Sequence, residues 1–254
     1  MGWDFMSLSV VMPVYNEQEI IEQVVRDINK KIVSKIQDSE FIIVNDCSTD
    51  NTLSILQKLS KEVKKMRIIT PSKNGGHGKA IRLGFLNAKK DWVFHTDSDN
   101  EFELSDFWKL YETKDNYDLV LGQRKHRQDP LHRLVTTRFA RLTNFVLFGS
   151  LIKDSNSGFK LMKKNALQHI LSILPEDGAF YTILISIMAR NLNYRIIEIP
   201  VKHYGRKTGT CHLNASRLSK EMYRGIKDML SLRMKAWNLP ETEYKMAEEI
   251  RNAA

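Results

Sequence analysis

The chain has 254 residues, 42% of them hydrophobic, and a formal net charge of +9. This length can bury the core of one large α/β domain or of a domain with an extension, whereas the longest nearly apolar stretch, residues 142–152, is too short and too interrupted to span a bilayer. Two cysteines, Cys47 and Cys211, and no signal-peptide pattern after Met1 predict a cytosolic protein without a disulfide framework.

The first half of the chain alternates between apolar strands and amphipathic helices. Strands are predicted at residues 8–12, 41–44, 67–69, 92–96 and 119–121. Helices are predicted at residues 17–34, around 53–59 and near 79–88. Because strands this apolar are buried on both faces, the pattern predicts an α/β fold, with a mostly parallel central sheet and helices on both faces.

The second half is richer in helices and polar loops. Helices are predicted near residues 132–151, 164–174, 179–191 and 215–236. One further strand, at residues 194–199, ends at Pro200, and a basic loop follows at residues 203–212. We expect a single domain over residues 1–238, with a donor half at about 7–122, an acceptor half at 123–238 and a charged, frayed tail at 239–254.

Two segments, residues 123–144 and residues 201–236, together supply more than the whole formal net charge of +9. Such an excess suits nucleic acid, an anionic membrane surface or small substrates that carry phosphate, and it also occurs on an ordinary solvated face. Charge alone therefore leaves the partner open.

Polar motifs follow three of the predicted strands. Asp97 and Asp99 stand one residue apart after the strand at 92–96, and at this spacing their carboxylates offer hard oxygen ligands to Mg²⁺ or Mn²⁺. The other motifs are Pro13-Val14-Tyr15-Asn16-Glu17 and Asn45-Asp46-Cys47-Ser48-Thr49-Asp50. Each motif alone could simply cap a turn or a helix. Because the carboxyl ends of parallel strands lie along one edge of a sheet, together they predict a site suited to a base, a ribose and a diphosphate.

The glycine-rich segment Gly75-Gly76-His77-Gly78-Lys79 is not a Walker phosphate loop. That loop needs Gly five residues before the Gly-Lys pair and Ser or Thr after it, and Lys73 and Ala80 occupy those places. The dinucleotide-binding fingerprint is also absent after the first strand. Kinase and dehydrogenase functions therefore lose their main support, and the glycines are expected to allow a tight turn into a helix.

Together these motifs resemble glycosyltransferase family 2, whose members are inverting enzymes with the GT-A fold. The resemblance covers roughly residues 7–213 and is closest to the branch that contains dolichol-phosphate mannose synthase and the polyprenyl-phosphate glycosyltransferases. It implies a GT-A (Rossmann-like) nucleotide-sugar-binding domain. Besides the motifs above, it rests on Asn74-Gly75-Gly76-His77-Gly78-Lys79-Ala80, Gly122-Gln123-Arg124, Asp154-Ser155-Asn156-Ser157-Gly158-Phe159-Lys160, and Glu198-Ile199-Pro200 followed by Arg206 and Gly209.

The resemblance also implies roles for individual residues. Donor contacts are expected from Pro13, Tyr15, Glu17, Asp46, Lys79, Asp97 and Ser98. The ligands of a divalent cation, Mg²⁺ or Mn²⁺, are expected to be Asp97, Asp99 and Glu101. Catalytic roles are expected for Asp99, Arg124 and Arg206, and acceptor contacts for Arg138, Ser157 and Arg206.

Three positions depart from the family pattern. Asn45 replaces the first acid of an Asp-Asp pair, and the second acid, Asp46, remains. Glu101 stands where the branch often has Gln, and a carboxylate there would bind a cation more strongly. Cys211-His212 replaces the Ser-Lys that relatives have after the Arg-x-x-Gly element, and this change concerns the assignment of the acceptor-binding residues.

The implied reaction is the transfer of a hexose from a GDP- or UDP-linked donor to a polyprenyl or dolichyl phosphate, as in dolichyl-phosphate mannosyltransferases. Such an acceptor is ionised at neutral pH, so it needs cations such as Arg124, Arg138 and Arg206 rather than a strong base. A saccharide hydroxyl would need a general base, for which Glu176 and Asp177 are candidates unless they form an exposed turn.

Two further functions remain as alternatives. Nucleotidyl transfer to a sugar phosphate also uses an α/β domain and an aspartate-bound metal, and it would release pyrophosphate. A nucleic-acid-binding module does not account for carboxylates at strand ends, so no nucleic-acid partner is predicted.

The segment 133–152 has apolar residues at near-helical spacing beside Arg138 and Arg141. This pattern fits either a helix packed on the sheet or a membrane-facing surface. We expect the protein to be cytoplasmic and peripheral on the cytosolic face of a membrane, alone or docked on a membrane-anchoring partner.

Overall fold

The computed structural model describes residues 7–125, 143, 145–149, 152–178, 180–204 and 215–253, and for residues 215–222 it describes the backbone only. Among these residues, seven strands form one sheet in the order β3-β2-β1-β4-β6-β5-β7. The strands are β1 (Leu8–Val14), β2 (Ser39–Asn45), β3 (Met66–Ile69), β4 (Trp92–His95), β5 (Leu119–Lys125), β6 (Lys160–Lys163) and β7 (Ile196–Lys202). All strands run in one direction except β6, which pairs antiparallel with both of its neighbours.

Helices cover both faces of this sheet. They are α1 (Ile21–Lys31), α2 (Thr52–Glu62), α3 (His77–Leu86), α4 (Phe107–Thr113), α5 (Lys164–Ile173), α6 (Tyr181–Asn191), α7 (Ala215–Trp237) and α8 (Glu241–Asn252). Short 3₁₀ helices lie at Val33–Lys35, Leu104–Asp106 and Lys114–Asn116.

Successive residues of a strand enter opposite cores, which explains the continuous apolar runs in the sequence. In β2, Phe41 and Ile43 pack with α1, α2 and α4, whereas Ile42 and Val44 pack with α3 and the C-terminal helices. The predicted α/β fold, with a mostly parallel sheet covered on both faces, is therefore confirmed.

Two strands differ from the sequence prediction. β6 was not predicted, because only Leu161 and Met162 are apolar between two lysines, and it exists through pairing with β4 and β5. β7 does not end at Pro200 but continues to Lys202. Proline is tolerated there because β7 is the last strand of the sheet, where one row of N–H groups has no ladder partner.

The C-terminal segment is charged but not frayed. We expected a tail at residues 239–254, yet α8 packs against α5, with Ala247 buried and Tyr244 and Ile250 against the core. His169 Nε2 of α5 lies 2.7 Å from Oε2 of Glu243. The sequence prediction missed this packing because α8 is mostly charged and has only about one core-facing apolar residue per turn. That narrow stripe is enough to hold the helix against α5.

None of the helices in the described part of the chain has both the length and the apolar composition that a bilayer crossing requires.

Candidate active site

The loops that follow β1 and β2 are joined by hydrogen bonds. The backbone N–H of Asn16 donates to Oγ of Ser48 at 3.0 Å, and Oδ1 of Asn16 accepts from the N–H of Thr49 at 2.8 Å. The N–H of Glu17 donates to Oγ1 of Thr52 at 2.9 Å. The two motifs therefore meet at one edge of the sheet, as the sequence predicts.

This edge also concentrates left-handed backbone. Asn16, Cys47 and Asn100 have φ values of 54°, 59° and 57° and follow β1, β2 and β4 respectively. Asparagine adopts this conformation more readily than most residues, whereas cysteine does so at a cost. Cys47 is held there in part by its thiol, whose Sγ donates to the carbonyl oxygen of Pro71 at 3.2 Å.

The predicted donor residues of the first motif differ in accessibility. Tyr15 is 41% exposed, so its ring is available to a ligand at the edge. Glu17 is half-buried, and Pro13 is buried within β1. The donor contacts of all three residues stay predictions.

Asp46 fixes the glycine-rich turn. Its Oδ1 accepts from the N–H of Gly75 at 2.8 Å and its Oδ2 from the N–H of Gly76 at 2.7 Å, while Nδ2 of Asn74 donates to the Asp46 carbonyl at 2.7 Å. Gly76 has a φ of 82° and precedes the first residue of α3, so the predicted turn into a helix is confirmed. Lys79 is exposed on the first turn of α3. Because the Asp46 carboxylate is engaged with this turn and is only 3% exposed, its contact with a base or ribose stays a prediction.

Asp97 lies where β4, α3 and the loop before β6 meet. Its Oδ1 is 3.6 Å from Nε2 of His77 and 3.7 Å from Nε2 of His95. This oxygen is buried and has no hydrogen-bond partner among the described residues. Burial of an oxygen that accepts no hydrogen bond carries a desolvation cost that no contact offsets. A cation or a ligand N–H group beside this oxygen would therefore stabilise it. Ser98, beside it, is buried.

Behind Asp97 lie two buried basic groups that the sequence analysis did not single out. Burial lowers the pKa of His95 to about 4, so the ring is neutral at physiological pH. Lys160 faces His95 across the β4–β6 pair, and Nζ of Lys160 donates to the Ser155 carbonyl at 2.8 Å and to Oγ of Ser186 at 2.7 Å. Burial lowers the pKa of Lys160 to about 7. The only sequence signal was the place of Lys160 as the last residue of the polar motif at residues 154–160.

The predicted metal ligands do not form one cluster. Oδ1 of Asp99 accepts from the N–H of Glu101 at 3.2 Å, but Oε2 of Glu101 lies 3.0 Å from Nε2 of His203. Phe102 and His203 form an isolated antiparallel bridge, which turns the Glu101 carboxylate toward β7. In the part of the chain that the structure describes, no group of three or more His, Cys, Asp or Glu side chains is placed to hold a metal ion. In this geometry Glu101 is therefore not placed to act as a third metal ligand beside Asp97 and Asp99.

Arg124 is engaged in an internal ion pair. Its Nε and Nη2 donate to Oδ2 and Oδ1 of Asp154 at 2.8 and 2.7 Å, and its backbone N–H donates to Oδ2 at 3.0 Å. Glu198 accepts from the N–H groups of Lys153 and Asp154 at 2.9 and 2.7 Å. The guanidinium thus joins the end of β5 to the loop before β6, and its predicted contact with phosphate stays a prediction.

Ser157 is the predicted acceptor contact that lies within the described residues, and it is not placed in an open groove. Ser157 is fully buried, and its Oγ accepts from the N–H of Phe159 at 3.3 Å. Glu176 is largely exposed, 3.7 Å from Nη2 of Arg82, and Asp177 is exposed beside it. These two acids therefore fit the exposed-turn alternative better than a general base. Arg138, Arg206 and Cys211-His212 lie outside the described residues.

Comparison with known proteins gives matches to sequence families, to curated proteins and to solved structures. The family model Glycosyl transferase family 2 matches residues 9–171. The dolichyl-phosphate beta-glucosyltransferase of Saccharomyces cerevisiae is 29% identical over 76% of this chain and 66% of its own length. The undecaprenyl-phosphate 4-deoxy-4-formamido-L-arabinose transferase of Salmonella choleraesuis is 29% identical over 85% of this chain and 65% of its own length. The chain thus spans slightly less than two-thirds of the length of these relatives.

Solved structures share the fold. The glucosyl-3-phosphoglycerate synthase of Mycobacterium tuberculosis, in complex with Mn²⁺, UDP-glucose and phosphoglyceric acid, superimposes with a TM-score of 0.64 at 18% identity. The match covers 90% of this chain and 80% of that one. At this identity the similarity establishes the architecture alone.

Proposed function

The chain belongs to glycosyltransferase family 2, and on this premise we propose that it is an inverting, metal-assisted glycosyltransferase that moves a sugar from a GDP- or UDP-linked donor to a polyprenyl or dolichyl phosphate. The observation that carries the proposal is the edge where the segments after β1, β2 and β4 converge. There an exposed Tyr15 and Oδ1 of Asp97, which has no hydrogen-bond partner among the described residues, follow the neighbouring strands β1 and β4.

Tyr15 offers an aromatic face to the base of the donor, and the joined loops after β1 and β2 hold that face in place. The first turn of α3, fixed by Asp46, brings His77 beside Asp97. Backbone N–H groups at the start of a helix favour an anion, so this turn suits the diphosphate of the donor.

The residues at the edge fit a divalent cation in part. Oδ1 of Asp97 is the fitting oxygen, because it is buried and lacks a donor among the described residues, and Asp99 stands two positions away. Glu101 does not fit, because its carboxylate lies against His203. When bound, Mg²⁺ or Mn²⁺ would neutralise the charge that grows on the departing diphosphate. The structure of the M. tuberculosis relative with Mn²⁺ and UDP-glucose supports this assignment by analogy.

A phosphate acceptor is supported by the names of the two curated relatives and by the basic balance of the chain. Its oxygen is already a nucleophile at neutral pH, so the protein needs to hold it in line with the anomeric carbon and needs no strong base. Exposed Glu176 and Asp177 give a saccharide hydroxyl no well-placed base in this geometry. Arg138 and Arg206 are the cations that we propose for the acceptor phosphate.

We extend the proposal to organisation and location. The half of the chain at about residues 7–122 binds the nucleotide-sugar donor, and the half at about residues 123–238 binds the acceptor. The enzyme works at the cytosolic face of a membrane, alone or with a membrane-anchoring partner, and uses no nucleic acid.

A panel of GDP- and UDP-linked sugars, each with a short-chain prenyl phosphate and Mn²⁺, tests the function. We expect release of free nucleoside diphosphate with at least one donor, and only when the acceptor carries phosphate. The prenyl alcohol of equal chain length is the matched control. Release of pyrophosphate would indicate nucleotidyl transfer, and transfer to a saccharide but not to the prenyl phosphate would contradict the acceptor assignment.

A further inference from the structure

Helix α7 presents an apolar stripe to solvent. Met234 and Trp237 are 66% and 76% exposed, and Tyr223 and Leu230 lie on the same face at spacings of seven, four and three residues. The opposite face of the helix is buried against the core by Met229, Leu232 and Ala236. The exposed side chains are therefore not needed for the packing of α7 on the domain.

A second segment extends this stripe. The guanidinium of Arg233 lies 5.2 Å from the Trp237 ring and 6.0 Å from the Phe148 ring, which places residues 145–148 beside α7. In that segment Phe145 is 53% exposed and Val146 is 71% exposed. We call the combined patch the α7 surface; it consists of Tyr223, Leu230, Met234 and Trp237 with Phe145, which lies one helical turn before Phe148.

The charges around the α7 surface are mainly positive. Arg224, Lys227 and Arg233 stand on the described side-chain part of α7 against the single acid Asp228, whereas Nζ of Lys235 donates to the carbonyl oxygen of Ile173 on the packed side of the helix. On a helical wheel, Lys227 falls next to Tyr223 and Met234, and Arg233 falls on the opposite border beside Trp237. Apolar side chains bordered by cations, with Trp and Tyr among them, match the boundary between acyl chains and anionic headgroups.

We propose that the α7 surface docks the protein on an anionic lipid bilayer. The inference rests on the proposed function, because a polyprenyl phosphate keeps its tail in the membrane and the enzyme must come to it. An acidic protein partner would pair with the cations but would leave Met234 and Trp237 in water. The bilayer accounts for both the charged and the apolar part of the surface.

Direct contacts connect this surface to the site. Gly225 of α7 packs on the Phe180 ring so closely that a Cβ atom at position 225 would lie 2.2 Å from it. Phe180 precedes α6, whose Thr182 donates from Oγ1 to Oδ1 of Asn156 at 3.0 Å. Two residues after Asn156, Gly158 packs against Asp97. These contacts link α7 through α6 to the loop that packs against Asp97.

Trp237 provides the direct probe. With vesicles of phosphatidylcholine and phosphatidylglycerol, we expect co-sedimentation and a blue shift of tryptophan emission, and both should weaken as salt rises. Trp237→Phe should remove most of the shift and keep much of the binding. Sedimentation without any shift that depends on Trp237 would place the membrane contact elsewhere and overturn the proposal.

Matched substitutions test the surface against ordinary exposed positions. Met234→Ser should weaken vesicle binding about tenfold, whereas Met246→Ser on α8, also half exposed, should leave it unchanged. Lys227→Gln should weaken binding about fivefold, the effect of one lost headgroup contact, and Lys58→Gln on α2 should not. Equal binding within each pair contradicts the proposal.

Two readouts separate failure of this inference from failure of the proposed function. Transfer to a water-soluble short-chain prenyl phosphate should be the same in Met234→Ser as in the unmodified protein, while transfer to a polyprenyl phosphate in vesicles should fall. Vesicle binding through Trp237 without any sugar transfer would leave the docking surface standing and reject the function. Conversely, if Met234→Ser instead dissociated a dimer in sedimentation velocity, the α7 surface would be an interface between two copies.

Discussion

Asp97 and Gly158 are in direct contact: a Cβ atom at position 158 would lie 1.9 Å from Oδ2 of Asp97. Asp97 follows β4, and Gly158 belongs to the loop that leads into β6. The two strands pair antiparallel, so their polar ends close against each other and form one wall of the site. Only a residue without a side chain fits between them.

Gly158→Ala should therefore destabilise the fold through Asp97. We expect a loss of about 1–3 kcal/mol in the free energy of unfolding, the usual cost of an added methyl group in a packed site. In an Asp97→Ala background the same substitution should cost much less, because the opposing carboxylate is gone. Urea unfolding of the four proteins of this cycle measures both values, and equal costs in the two backgrounds would contradict the contact.

Loss of the Asp97 charge should remove metal-dependent transfer. Asp97→Asn and Asp99→Ala should each lower the rate of sugar transfer by about 10²-fold or more at saturating Mn²⁺. The free energy of unfolding should change little in either variant. Glu101→Gln should affect cation affinity less than either substitution, because its carboxylate lies against His203. Full activity in excess chelator would remove the metal from the mechanism.

The Arg124–Asp154 pair should contribute strongly to stability. Both side chains are nearly buried, so Asp154→Asn or Arg124→Lys leaves a charge or a donor without its bidentate partner. We expect a loss of about 3–5 kcal/mol in the free energy of unfolding for Asp154→Asn. Arg26→Ala, which removes an exposed pair with Glu22 and Glu62, should cost much less, because solvent screens that pair. Similar costs for the two pairs would contradict this assignment.

Lys160 should make the fold more stable as pH rises above neutrality. Burial lowers its folded-state pKa from the ordinary 10.5 to about 7, so between these pH values the unfolded chain binds the proton that the folded chain has lost. The unfolded state therefore holds more protons, and the free energy of unfolding should rise by up to about 1.4 kcal/mol per pH unit from this group. Below pH 7 both states are protonated and the contribution is flat. Lys160→Met should remove that slope between pH 7.5 and 10, and an unchanged slope would show that the buried ammonium is not the cause.

The sequence predicts the strands of the donor half well because most of them are buried on both faces and form continuous apolar runs, although β3 at the sheet edge is only partly buried. β6 escapes prediction because its conformation depends on partners, β4 and β5, that lie tens of residues away. The convergence of the motifs after β1, β2 and β4 follows from parallel topology, and it is found. The sequence does not reveal which charged side chains form ion pairs within the protein. Glu101 lies beside His203 and Arg124 beside Asp154 only because the fold brings these distant segments together.

The place of β6 in the sheet affects how the chain folds during its synthesis. β4 and β5 both precede β6, yet neither can take its final neighbour until residues 160–163 have been made. A nascent chain that ends before residue 160 can form the unit β3-β2-β1-β4, but this unit presents the bare hydrogen-bonding edge of β4. Unpaired edges template wrong pairings, so the edge of β4 that faces β6 is open to such pairings until residues 160–163 have been synthesised.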